Sequence, residues 1–210
     1  MGPFPHHAPY AEISADNPAG TDGFAFVAFA HEDPQMLRDV FTRQGYSHVA
    51  THKTDAVEIW QQGDITYLID AQPGSHAMRF VDEHGPCAPA MGWRVADARH
   101  AFDHAVGRGA IPFDGPGKLM DVPAIIGIGG SLIYFIDQYR DASPFNAEFD
   151  WVGKAHPEGV GFHYLDHLTH NVHKGNMDKW FRFYGDLFNF REIRFFDIQG
   201  KHSGLLSRAL

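Results

Sequence analysis

One order of elements recurs along this chain: a strand, a helix and then three further strands, at a spacing of about 65 to 75 residues. In the first copy, Phe24-Ala-Phe-Val-Ala-Phe29 alternates large and small side chains, the pattern of a strand held between two packing layers. Asp33 and Pro34 then provide a helix cap and a first turn, Met36, Leu37, Val40 and Phe41 share one helical face, and Gly45 closes the segment. Three strand-like runs follow, Tyr46 to Ala50, Val57 to Gln61 and Ile65 to Asp70, the last two joined by Gln62-Gly63-Asp64 as a tight hairpin. Strands and one-stripe helices repeated in this order predict an α+β protein built from an internal repeat.

The second copy runs through a strand at Met91 to Val95, a helix capped by Asp97 with Ala101, Phe102, Ala105 and Val106 facing inward, and Gly109 after it. Strands are expected at Ile111 to Phe113, Ala124 to Ile128 and Leu132 to Asp137, with Gly129-Gly130-Ser131 as the turn between the last two. That glycine-rich turn lies between apolar strands and opens no helix, so it lacks the context of a phosphate loop. A third copy begins with a strand over Asp166 to Val172 and a helix from Asn176 whose apolar side is Trp180, Phe181, Tyr184, Leu187 and Phe188. Strands over Phe190 to Phe196 and Ser203 to Leu210 complete what the sequence shows of it.

Charge and cysteine content narrow the function. With 26 acidic against 17 basic residues the formal net charge is -9, which opposes the counterion-releasing contacts that non-specific nucleic-acid binding needs. Nucleic acid is therefore not an expected partner. Cys87 is the only cysteine, so an intrachain disulfide, a thiolate zinc site and a CxxC redox pair are all excluded. The N-terminus lacks a basic segment followed by an apolar one, and no apolar run approaches the ~20 residues that cross a bilayer. These features predict a cytoplasmic protein without a membrane partner.

Four stretches carry a resemblance to a known family: Asn17-Pro-Ala-Gly-Thr-Asp-Gly-Phe-Ala-Phe26, Met91-Gly-Trp-Arg-Val-Ala-Asp97, Asp166-His-Leu-Thr-His-Asn-Val172 and Leu187-Phe-Asn-Phe-Arg-Glu-Ile-Arg-Phe-Phe-Asp-Ile198. Together they are similar to 4-hydroxyphenylpyruvate dioxygenases, members of the vicinal oxygen chelate superfamily, in which paired βαβββ modules form cupped sheets with helices outside. The resemblance implies an arm over 1–22, a metal-free domain of two modules over 23–139, a linker over 140–161 and the first, incomplete module of a catalytic domain over 162–210. It also implies an Fe(II)-dependent dioxygenase that converts 4-hydroxyphenylpyruvate and O2 to homogentisate and CO2 in tyrosine catabolism. Hydroxymandelate synthase activity on the same scaffold, and a non-catalytic scaffold role, are the alternatives. Dimers or tetramers are the usual assemblies in such a family, which makes a homo-oligomer the expectation.

If Asp166 to Val172 is a strand, His167, Thr169, Asn171 and His173 share one face, while Leu168, His170 and Val172 share the apolar one. The apolar face can pack on the following helix and leave His167 pointing into the cup. The family pattern makes His167 the first of three iron ligands; a two-histidine, one-carboxylate set leaves positions open for a 2-oxo acid and oxygen. His163 precedes the matched run and His170 faces the other way. Ser207, in Gly204-Leu-Leu-Ser-Arg-Ala-Leu210, matches a serine near the substrate's polar groups. In the first domain the positions corresponding to the three ligands are Phe24, Ala90 and Phe135, none of which can bind a metal. The other two ligands are expected from sequence beyond Leu210, and the chain is expected to be inactive alone.

Overall fold

The computed structural model of the chain describes residues 10–139, 143–200 and 204–210. Its first repeat folds as β1 (Thr21–Ala30), α1 (Pro34–Arg43), β2 (Ser47–His52), β3 (Val57–Gln62) and β4 (Ile65–Asp70). Asp33 caps α1 by accepting a hydrogen bond from the Gln35 amide, and Pro34 sits where a helix has no amide partner to lose. A further helix, α2 (His76–His84), precedes the second repeat of β5 (Cys87–Val95), α3 (Ala98–Gly107), β6 (Ala124–Ile126) and β7 (Leu132–Ile136). Beyond these come β8 (Phe149–Trp151), α4 (Met177–Phe188), β9 (Arg194–Gln199) and β10 (Gly204–Ala209). None of the described helices is long and apolar enough to cross a membrane.

Eight strands form one mixed sheet in the order β6-β7-β5-β1-β4-β3-β2-β8. Within each repeat the first strand runs parallel to the last, β1 with β4 and β5 with β7, and the repeats are fused where β1 meets β5 antiparallel. Side chains that alternate along these strands separate into two layers. Met91, Trp93, Val95, Ile133 and Phe135 face α3 and α4, and Trp60 and Ile69 join Phe41 of α1. Phe26, Ala28, Ile59, Leu68, Ala90, Leu132, Tyr134 and Ile136 form a second cluster with no helical member, closed by Leu119, Met120, Phe145 and Phe149. Removing a side chain the size of Phe26 from water stabilises the fold by about 2–3 kcal/mol. A Cβ on Gly92 would run into the Phe26 ring, so the crossing of β1 and β5 depends on glycine there.

Several elements differ from the sequence reading. Helix α2, which it missed, is capped by Ser75 accepting from the Met78 amide and buries only Ala77 and Val81; two small apolar residues leave little periodic signal. Instead of a strand over Ile111 to Phe113 there is a single antiparallel bridge, Pro112 with Ile125, because Pro112 has no amide to extend a ladder. Segment 140–161, expected as a linker, contains β8, which pairs with the free side of β2 through Ala50, Thr51 and His52. Asp166 to Val172 forms no strand, and the strand expected over Phe190 to Phe196 runs from Arg194 to Gln199 instead. The last strand covers Gly204 to Ala209; Ser203 lies outside the described residues.

Candidate functional site

The run carrying His167 is held at one end by packing. Leu168 lies against the cluster formed by Trp93 of β5, Phe135 of β7 and Tyr184, Leu187 and Phe188 of α4, and the His170 ring sits 6.3 Å from that of Tyr184. His167, Thr169, Asn171 and His173 are exposed. Leu168 and Val172 are the less exposed residues of the run, whereas His170, expected on their face, is exposed, so the two-sided alternation read from the sequence is only partly present. A β-ladder requires a partner for its amides and carbonyls, and the run pairs with none of the described strands.

His167 retains 78 % of its side-chain exposure, and its Nδ1 lies 2.8 Å from Asp166 Oδ2. When Nδ1 donates to this carboxylate, the lone pair of the neutral ring lies on Nε2, the arrangement found in metal-binding histidines. Asp166 was not singled out by sequence, because strand neighbours point to opposite faces; only the irregular backbone lets these two side chains meet. Ser207 lies half-buried on β10, opposite Phe196 of β9. Next to it Arg208 ties β10 to α4, with Nη1 2.8 Å from Asp178, Nε 3.3 Å from Glu192 and the guanidinium 5.0 Å from the Phe181 ring. Trp180 and Phe181, expected on the apolar side of α4, are only half-buried and lie outside the cluster of Tyr184, Leu187 and Phe188, where Phe183 packs instead.

Among the described residues no three His, Cys, Asp or Glu side chains converge as metal ligands. One imidazole with a carboxylate on its far nitrogen does not by itself fit an iron centre, which takes several oxygen and nitrogen donors. The first sheet offers no second site. Its helix-free layer is filled by Phe26, Tyr134, Phe145 and other apolar groups, and Ala90 is among them. Phe24 and Phe135, expected at ligand-equivalent positions, pack on the helical side instead. Irregular register in β1 on either side of Phe24 shifts the alternation there, and Phe135 alternates with Tyr134 and Ile136.

Comparison with known proteins places these features in context. The family profile described as "Hydroxyphenylpyruvate dioxygenase, HPPD, N-terminal" matches residues 15–150. A 4-hydroxyphenylpyruvate dioxygenase of Legionella pneumophila (strain Corby) is 45% identical over 196 residues, 93% of this chain and 56% of that protein. One from Pseudomonas aeruginosa is 42% identical over 207 residues, 95% of this chain and 58% of its own length. A solved structure of a xylose isomerase-like TIM barrel/4-hydroxyphenylpyruvate dioxygenase fusion protein superposes with a TM-score of 0.77 at 26% identity, covering 91% of this chain and 31% of that one. The chain thus spans a little over half the length of the curated relatives it matches.

Proposed function

This chain belongs to the hydroxyphenylpyruvate dioxygenase family, and we propose on that premise that it forms part of a cytoplasmic, homo-oligomeric, Fe(II)-dependent dioxygenase. Its substrates are 4-hydroxyphenylpyruvate and O2, and its products homogentisate and CO2. The observation that carries this reading is the pairing of family identity across 93% of the chain with an exposed His167 whose Nδ1 is already engaged by Asp166. In this reading His167 supplies one iron ligand through Nε2, and residues outside these 210 supply the others. Ser207 contacts the polar end of the substrate. The unit over 23–139 has its inner layer filled with apolar side chains, so its role is packing and assembly, with 140–161 leading to the catalytic module over 162–210.

The test is a chimera in which this chain replaces the corresponding part of the Legionella relative. Oxygen uptake with Fe(II), ascorbate and 4-hydroxyphenylpyruvate is expected, with homogentisate as the product resolved by chromatography. His167→Ala should reduce uptake by about a hundredfold or more and strip the retained iron. A folded chimera in which that variant keeps both iron and activity would sink the assignment of His167. A folded chimera that never consumes oxygen would favour the scaffold role.

A further inference from the structure

Four residues before His167, the chain is held to the first sheet by a different kind of contact. Gln62, the last residue of β3, is fully buried, and both polar atoms of its side chain are hydrogen-bonded. Nε2 donates to the Gln44 carbonyl at the end of α1 at 2.9 Å, while Oε1 accepts the amides of Val160 at 2.6 Å and Phe162 at 3.3 Å. Around it, the Gly63 amide donates to Pro157 O at 2.8 Å and the Asp64 amide to His163 O at 2.7 Å. Gln61 Oε1 accepts the His156 amide at 3.0 Å, and His156 Nδ1 donates to Gly63 O at 3.0 Å.

Three glycines make room for this contact. A Cβ on Gly63 would come within 2.6 Å of Phe162 O, one on Gly45 within 2.8 Å of Val160 Cγ1, and one on Gly159 would enter the Gln62 side chain itself. All three have positive φ, so a side chain is disfavoured there by backbone and by space together. Apolar burial does not hold the segment, since Val160 is 71% and Phe162 52% exposed. Its position rests on hydrogen bonds to Gln61, Gly63 and Asp64 together with two amides that converge on the buried Gln62 carboxamide.

We propose that Gln62 is a positioning residue: through segment 156–163 it fixes the start of the run that carries His167. The inference rests on the reading of His167 as a ligand. From His163, anchored on Asp64, to His167 is about 13 Å of extended chain at roughly 3.3 Å per residue. Leu168 anchors the other side. His167 is thus strung between a polar latch on β3 and the turn after it and an apolar one on β5, β7 and α4, so the non-catalytic sheet sets where the imidazole stands.

The experiment is amide hydrogen exchange on the 210-residue chain with Gln62→Leu, Gln62→Glu and Gly159→Ala. Gln62→Leu and Gly159→Ala are expected to speed exchange at Val160, Phe162 and Asp64 by about tenfold or more while β1 and β5 keep their protection. Gln62→Glu keeps an acceptor oxygen for the Val160 and Phe162 amides but loses the donor to the Gln44 carbonyl, so exchange at these two amides should fall between that of the parent and that of Gln62→Leu. Spin labels on Tyr164→Cys and Thr42→Cys, in a Cys87→Ser background, should give a narrow distance distribution that broadens about twofold in Gly159→Ala. If Gln62→Leu unfolds the whole sheet, Gly159→Ala decides, because Gly159 is exposed and outside every strand. Unchanged exchange at Val160 and Phe162 in the decisive variant, or an unchanged distance distribution, overturns the proposal. Neither readout involves iron, so this failure and a failure of the His167 assignment are separately visible.

Discussion

The first two repeats and the third are written in the same order of elements but end in opposite states. In the first two, every strand finds a neighbour: β1 and β5 lie inside an eight-stranded sheet with helices on one face and a filled apolar layer on the other. In the third, β9 and β10 pair only with each other. All six residues of β9 are exposed, including Ile198 at 55%. Only α4 is well covered, and what covers it is the first sheet: Trp93 lies 4.7 Å from Phe188 and stacks on Phe190 at 5.4 Å. A two-stranded ribbon has marginal stability by itself, so a module of this kind becomes a folded unit only when another module shares its sheet.

The contrast can be broken by core truncation. Phe26→Ala should lower the unfolding free energy by about 3–5 kcal/mol in urea titration, since it opens a cavity between Tyr134 and Phe145. A loss below 1 kcal/mol would mean that the inner layer of the first sheet is no better packed than the third repeat.

A smaller effect sharpens the same comparison electrostatically. Arg38 on α1 grips Glu58 of β3 through Nε at 2.9 Å and Nη2 at 2.6 Å, and Trp60 Nε1 donates to the same carboxylate at 3.0 Å. Burial alone would raise the Glu58 pKa, but these hydrogen bonds and the Arg38 charge hold it below its ordinary value of 4.5. With the folded pKa depressed, the contribution is complete above the unfolded value and is lost as pH falls through the folded one. Glu58→Gln should therefore cost about 1–2 kcal/mol at pH 7, after allowing for the partial exposure of Arg38. It should also flatten the acid limb of stability below pH ~4.5. An acid limb as steep as the parent's would assign that slope to other carboxylates.

The smallest change belongs to the open ribbon. Ile198→Thr should alter stability by no more than about 0.5 kcal/mol, yet reduce self-association seen by light scattering, because an exposed apolar strand edge recruits other chains. A large destabilisation would show that β9 is covered in solution.

Much of the first sheet was legible in the sequence because its signals are local. Asp33 and Asp97 cap α1 and α3 as their side chains dictate, and Gly63 turns β3 into β4. Helix α2 was not legible, since its buried face is only Ala77 and Val81. That His167 stays exposed while its neighbour Leu168 packs on the apolar cluster was legible from the sequence pattern. The His167 hydrogen bond to Asp166 was not, because it exists only where strand alternation fails.

The sequence alone determined the order of elements in the first two repeats, the helix caps and the family to which the chain belongs, since each is encoded in short stretches of backbone preference and side-chain type. The tertiary structure decided which runs became strands. Asp166 to Val172 has the pattern of one and lacks the partner, whereas Phe149 to Trp151 has little pattern and becomes β8 because the edge of β2 is open to it. A helix completes its hydrogen bonds within itself; a strand must complete them with a neighbour, and no stretch of sequence carries its neighbour with it.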